Sequence, residues 1–234
     1  MKNSGDNHYT TKDRIFDLPL KLLVVGRSQL SGKTTVVANL LLLDEFYNKD
    51  FQGENIFIVS PSTEVDLKLE AIIEEKDVPS MNIIPDYDEQ VLSAVYKMIE
   101  QKFLEAKEAK KKIPNWLVIF DDMSFGGALK KKNHGAITKL FCNGRHLNIS
   151  TIITAQKYSD IHTTCRENTT GAIFFASTDK QLDLISEDHN YLESKQDFKK
   201  LFKAVTTPKH SFLVVNYSNP PEERYLDSHF EPLL

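Results

Sequence analysis

The segment Gly26-Arg27-Ser28-Gln29-Leu30-Ser31-Gly32-Lys33-Thr34-Thr35 has the residue types of a loop that wraps phosphate. It lies between an apolar run, Lys21 to Val25, and a helix-like stretch from Thr34 to Phe46. In that setting backbone N–H groups and the positive helix end surround an anion, and Lys33 reaches the β and γ oxygens of a nucleotide. The Thr34 hydroxyl is placed to meet Mg²⁺ bridging the same phosphates. The usual spacing leaves four residues between the two glycines. Here Arg27 to Ser31 intervene, which is five, so the loop must bulge by one residue or leave Gly26 outside the phosphate contacts.

A second group of acids follows at Leu117-Val118-Ile119-Phe120-Asp121-Asp122. Four apolar residues carry two carboxylates to the carboxyl end of a strand, the end at which open α/β sheets bind ligands. Asp121 is expected to hold Mg²⁺, directly or through water, and Asp122 to polarise the attacking water. A third element, Ser150 to Gln156, ends a further strand in a polar residue that would face the γ-phosphate and orient water or report nucleotide state.

The elements that must position these groups alternate along the chain. Strands are expected at Lys21 to Val25, Asn55 to Ser60, Met81 to Ile84, Trp116 to Asp122, Ser150 to Thr154, Gly171 to Ser177 and Phe212 to Tyr217. Helices are expected at Thr34 to Phe46, Glu64 to Glu75, Asp88 to Lys112 and Ala136 to Gly144. In the long helix Val91, Val95, Ile99 and Phe103 recur every four residues, widened by Leu92 and Tyr96. Continuous apolar strands separated by helices imply a single α/β domain with a mostly parallel sheet covered on both faces. The reading divides the chain into a flexible segment at 1–18, a P-loop ATPase domain at 19–218 and an extended, proline-rich tail at 219–234.

Bulk properties narrow the classes. The 234 residues suit one large domain, 41% hydrophobic and 26% charged. A net charge of -4 excludes a uniformly basic protein, so any nucleic-acid contact must be a local patch. Two cysteines, Cys142 and Cys165, without partners at metal spacing argue against structural zinc and for a reducing, intracellular setting. The polar start has no apolar signal core, and the longest apolar stretch is far too short to span a bilayer, so a soluble protein is expected.

Taken in order, the phosphate loop, the Asp121-Asp122 strand end, Cys142-Asn143-Gly144-Arg145-His146 and Ile149 to Gln156 resemble the FtsK/HerA superfamily of DNA-pumping ATPases. The likeness is greatest to the poxvirus-type genome-packaging ATPases of large DNA viruses and virophages. It runs from about residue 20 to 217 and includes Arg166-Glu167-Asn168 ahead of an Ile-Phe-Phe strand. The resemblance implies a RecA/FtsK-like P-loop NTPase fold and ATP with Mg²⁺ as nucleotide and ion. It also implies a homo-oligomeric ring of five or six subunits on double-stranded DNA, and a capsid or portal-like partner. A viral protein of this kind would work in the host cytoplasm or virus factory and in the virion. The resemblance places the arginine finger that contacts a neighbour's nucleotide at Arg145, with Arg166 as a second candidate. A guanidinium supplied in trans stabilises charge in phosphoryl transfer and couples firing to subunit contact.

Two lysine clusters bear on DNA. Lys107, Lys110, Lys111 and Lys112 are interleaved with Glu105 and Glu108 and read as a solvated helix end. Lys130-Lys131-Lys132 follows the Asp-Asp strand and the Gly126-Gly127 pair, and is the expected backbone-contacting loop. Two other classes use the same phosphate loop: a nucleotide kinase or GTPase, and an assembly protein that binds ATP with little turnover. The Asn48-Lys49-Asp50 string lacks the guanine-reading pattern, and an Asp at 122 in place of Glu keeps the low-turnover reading open.

Overall fold

A computed structural model describes residues 15–27, 31–62, 66–122 and 135–234. Ser28, Gln29 and Leu30 of the phosphate loop and Lys130, Lys131 and Lys132 lie outside the described residues. The strands are β1 (Lys21–Val25), β2 (Ile56–Val59), β3 (Ile83–Ile84), β4 (Trp116–Phe120), β5 (Ile149–Ala155), β6 (Gly171–Phe175), β7 (Phe212–Asn216) and β8 (Tyr225–Leu226). The helices are α1 (Lys33–Leu42), α2 (Leu67–Glu75), α3 (Glu89–Glu108), α4 (Gly135–Thr138), α5 (Thr163–Glu167), α6 (Asp179–His189) and α7 (Lys195–Thr206).

Among the described residues the sheet has eight strands in the order β3-β2-β4-β5-β1-β6-β7-β8. The six from β3 to β6 run parallel, and β7 and β8 add antiparallel at one edge. Parallel strands require both faces covered, and the alternation of side chains supplies two cores. Leu23 and Val25 of β1 face a core shared with α3, α4, α6 and α7. Leu22 and Val24 face the opposite core, with Val37, Leu40 and Leu41 of α1 and Leu69 and Ile72 of α2. The expected mostly parallel, doubly covered sheet is thus the observed one. No helix among the described residues is long and apolar enough to cross a membrane.

Helix starts follow local chemistry. Asp66, Asp88, Thr178 and Ser194 cap α2, α3, α6 and α7 by accepting backbone N–H bonds. The buried stripe of α3 is Leu92, Val95 and Ile99, while Val91 is exposed. A strict four-residue spacing drifts around a helix of 3.6 residues per turn, so the expected Val91-to-Phe103 row leaves the core at its start. The helix stops at Glu108, and Lys110 to Lys112 are exposed beyond it.

Three segments depart from the sequence reading. α1 ends at Leu42, four residues before Phe46. The expected helix from Ala136 to Gly144 is instead one α turn, a π turn over Lys139–Asn143 and a 3₁₀ turn over Gly144–Leu147. Residues 219–234 are not a detached tail. Tyr225 and Leu226 are buried in β8, and Phe230 sits edge-on to Phe46 at 5.5 Å. Two buried apolar side chains in a polar segment are enough to dock it against the β7 edge.

Candidate nucleotide site

The phosphate loop begins where β1 ends. The Gly26 N–H donates to Ala155 O of β5 at 3.0 Å, which ties the loop's first residue to the neighbouring strand. Ser31 packs on Gly26 so closely that a Cβ there would lie 2.7 Å from the Ser31 Cβ. The Ser31 hydroxyl donates to Arg27 O at 2.7 Å, and the Lys33 ammonium donates to the same carbonyl at 3.4 Å. Gly26 and Arg27 are therefore held against Ser31 and Lys33 at the start of α1.

Gly32 caps α1 with φ +88°, a conformation that disfavours any side chain. A Cβ at Gly32 would meet no atom within 4 Å, so the constraint is the backbone and the space above it is open. The first turn of α1 contains no acidic side chain, leaving its N–H groups and dipole free to face an anion. That combination fits a phosphate.

The carboxylates come from β4. Asp121 is 3% exposed and receives the Thr154 hydroxyl at 2.7 Å and the Ser60 hydroxyl at 3.4 Å. Burial pushes its carboxyl above the ordinary range, opposed by the Thr154 hydrogen bond and by Lys33 and reinforced by Asp66 and Asp122. Burial likewise holds the Lys33 ammonium below its usual value, against the pull of Asp122, Asp121 and Asp66. A buried acid and a buried base facing the same space both gain from an occupant that brings phosphate to one and a cation to the other. Thr34 and Asp121 are the residues that would hold Mg²⁺, an ion that keeps several waters and needs only one or two protein oxygens besides phosphate.

Asp122 has φ +47°, a left-handed residue at the strand end. Its N–H donates to Thr154 Oγ1 at 3.0 Å, and both its carboxylate oxygens receive Gln156 Nε2 at 2.9 Å. The backbone cost of that conformation is met by Thr154 of β5 and by Gln156 just past its end. Because β5 lies between β1 and β4, it joins the phosphate loop through Ala155 and both acids through Thr154 and Gln156. Sequence reading singled out Gln156 but not Thr154 or Ser60. The register in which Phe120 pairs with Ile153 sets Thr154 level with Asp121, and that alignment is the missing signal.

Beside the loop a cavity of about 370 Å³ opens at the carboxyl ends of β1, β5 and β6, lined in part by Arg27, Gln156, Lys157, Ser177, Thr178 and Lys180. Asn48 and Lys49 lie beyond the far end of α1, where the Lys76 ammonium holds Asn48 O, so they take no part in this site.

The two arginines are placed differently. Arg166 is held within its own chain: NH1 meets Asp188 at 3.0 Å, NH2 donates to Thr163 Oγ1 at 3.1 Å, and the guanidinium lies 5.0 Å from the Tyr158 ring centre. Its side chain is 12% exposed. Arg166→Ala is therefore expected to lower unfolding free energy by about 1–3 kcal/mol, since it removes a largely buried guanidinium from Asp188, Thr163 and the Tyr158 ring. Thermal melts check this, at roughly 2–4 °C per kcal/mol. Arg145 is exposed, and its guanidinium has no hydrogen bond or ion pair among the described residues. It precedes β5, whose seven residues lie between it and Gln156. At about 3.3 Å per residue, roughly 20 Å separates it from the phosphate loop of its own chain.

Residues 7–219 match the family model described as the poxvirus A32 protein. No curated protein sequence is matched. Among solved structures, the genome packaging NTPase B204 of Sulfolobus turreted icosahedral virus 2 with AMPPCP superimposes with a TM-score of 0.55 at 18% identity, covering 86% of this chain and 94% of that one. Its complex with AMP gives 0.60 at 16% identity, with 92% and 99% covered. The cytoplasmic domain of the Thermomonospora curvata Type VII secretion ATPase EccC gives 0.55 at 11% identity, covering 87% of this chain and 25% of that one. These likenesses establish an FtsK-like P-loop NTPase fold. A family match over nearly the whole chain, on a fold that sets Gly32, Lys33 and Thr34 at a helix start beside paired strand-end acids, means that the chain belongs to the poxvirus A32 family of viral genome-packaging ATPases and is itself an ATPase.

Proposed function

We propose that this ATPase is a ring-forming motor that moves double-stranded DNA, the step that packages a viral genome into a capsid. The observation that carries the reading is the separation of Arg145 from its own phosphate loop by the length of β5. An exposed guanidinium at that end of the sheet can serve a nucleotide only in another subunit. Coupling between neighbouring sites is what a motor needs and a soluble kinase does not.

Within one site the chain's residues divide the work. The N–H groups at the start of α1, from Gly32 to Thr35, face the phosphates, and Lys33 neutralises the β and γ oxygens. Thr34 and Asp121 would hold Mg²⁺, which would supply further positive charge to the phosphates. Asp122 accepts a proton from the water whose oxygen bonds to the γ-phosphorus as the bond to the β–γ bridging oxygen breaks. Gln156, now donating to Asp122, is placed to exchange that acid for the γ-phosphate or the water. It would thus keep Asp122 occupied until ATP arrives. Lys130, Lys131 and Lys132 follow the acids in sequence and carry the charge needed for DNA phosphates.

Steady-state ATP hydrolysis with and without double-stranded DNA tests the reading, with Lys33→Ala as the blank. Stimulation is expected at low salt. If one subunit at a time engages DNA and its three lysines neutralise phosphates, affinity should fall about 40-fold between about 50 and 200 mM salt. Turnover indifferent to DNA at every salt concentration would remove DNA from the proposal and leave the ATPase.

A further inference from the structure

At the amino-terminal ends of β1 and β5, opposite the phosphate loop, the Lys21 side chain is buried at 8% exposure. Its ammonium donates to Cys142 O at 3.2 Å, and no carboxylate pairs with it among the described residues. Taking an ammonium out of water without a counter-charge is costly, and an apolar residue would suit the start of a buried strand better. The groups that face it are Cys142, Cys165 and Arg145, and the last of these is a like charge.

The main chain of Lys21 cannot shift. Its N–H donates to Thr170 Oγ1 at 2.8 Å, and its carbonyl accepts the Thr170 N–H at 2.9 Å and the Thr169 hydroxyl at 2.7 Å. Leu20 next to it is paired with Ser150 and Thr151 on the other side. Cys142, in contrast, sits in the π turn Lys139–Asn143, a form that recurs at functional sites. The 3₁₀ turn that bears Arg145 follows at once, closed by the left-handed Asn148. A cation at the carbonyl end of such a turn is favourable, and here it is mounted on a fixed strand.

We infer that Lys21 is a positioning residue for Arg145. It anchors the π turn that leads directly into the 3₁₀ turn carrying the guanidinium, and its like charge turns that guanidinium outward toward a neighbouring subunit. It also connects the turn to β1, the strand whose other end is the phosphate loop, so the two sites that one subunit serves share a single strand. This rests on the proposed action of Arg145 in trans.

Subunit mixing tests it. Lys21→Met keeps the side-chain length and suits a buried site; Lys21→Gln, which keeps a donor, is the second variant and is judged by the same pairings. Turnover of Lys21→Met rings is expected to fall on the order of 10- to 100-fold with the KM for ATP nearly unchanged, the penalty of a misplaced catalytic group. Lys21→Arg should recover part of it. Lys33→Ala subunits retain a sound Arg145, so mixing them with Lys21→Met should raise turnover above either alone. Rescue of Lys21→Met by Arg145→Ala subunits instead would place the defect in the phosphate loop and overturn the proposal. Wild-type turnover in Lys21→Met would do the same. The control pair, Lys33→Ala with Arg145→Ala, separates the two ideas. If that pair fails to complement, the trans reading falls and takes this one with it. If it succeeds while Lys21→Met with Lys33→Ala fails, only the role of Lys21 is lost.

Discussion

Lys33→Ala should abolish ATP turnover while leaving the fold at least as stable as the natural chain. The two halves of that expectation come from the same burial. Lys33 is 8% exposed and lies across from Asp121 and Asp122, with one hydrogen bond among the described residues, to Arg27 O at 3.4 Å. Its charge is kept in a place where water cannot solvate it, which is why its ammonium is held below the ordinary value. The sign follows from linkage. A lysine whose folded-state value lies below its unfolded one costs stability wherever the unfolded chain is fully charged, and that includes neutral pH. Removing the side chain removes that cost, so the thermal midpoint should hold or rise. The chemistry goes the other way, because the developing negative charge on the transferred phosphoryl loses its nearest fixed cation. A single preorganised donor is worth about 10²–10³ in rate, and a full charge on the reacting phosphate should reach at least that. Steady-state turnover and a melt on the same preparation check both halves. Turnover close to that of the natural chain would sink the assignment of this loop as the nucleotide site.

The residues named there were legible from sequence because their chemistry is local. Gly32-Lys33-Thr34 needs only a strand before it and a helix after it, and Asp121-Asp122 needs only an apolar run to bring it to a strand end. The sheet itself was legible for the same reason, since β4 and β6 are continuous apolar runs, β1 is one after Lys21, and β5 is rich in β-branched residues. What escaped depends on contacts distant in sequence. Thr154 reads as one more β-branched residue until β5 is known to lie between β1 and β4, and only then does its hydroxyl fall on Asp121. Lys21 reads as a polar strand edge until the turn holding Cys142 closes over it. Ser60 is in the same position, one residue past β2 and 61 positions from the carboxylate it touches. α6 and α7 stand outside the expected helices, although Phe198, Leu201, Phe202 and Val205 of α7 recur at helical spacing and pack on the core, a signal the sequence does carry. The break of the Ala136-to-Gly144 helix into π and 3₁₀ turns could not be foreseen from helix propensity. Gly144 lies close against Ile149, where a Cβ would stand 3.0 Å from the Ile149 Cβ, so tertiary packing sets the turn.

Arg145→Ala is the change expected to separate a ring motor from an independent ATPase. The guanidinium is exposed and unpaired among the described residues, so its loss should leave the melting temperature within the small range of ordinary surface substitutions. ATP binding by the subunit's own loop should also persist, since the length of β5 lies between them. Turnover, by contrast, should fall by about 10³ or more, the range in which arginine fingers act. Arg145→Lys should recover little, because an ammonium cannot present the planar fork that spans two phosphate oxygens. In mixed rings each Arg145→Ala subunit silences a neighbour whose own loop is intact, so activity should depend non-linearly on the fraction of variant. Mixing with Lys33→Ala should restore turnover at junctions where an intact loop meets an intact arginine. A proportional response would require Arg145 to act on its own subunit's nucleotide. Because β5 is pinned between β1 and β4 along its length, no local movement could carry the guanidinium across roughly 20 Å. Proportionality would therefore leave Arg145 without a catalytic role, and non-linearity would leave the trans contact as the one route by which its charge reaches a phosphate.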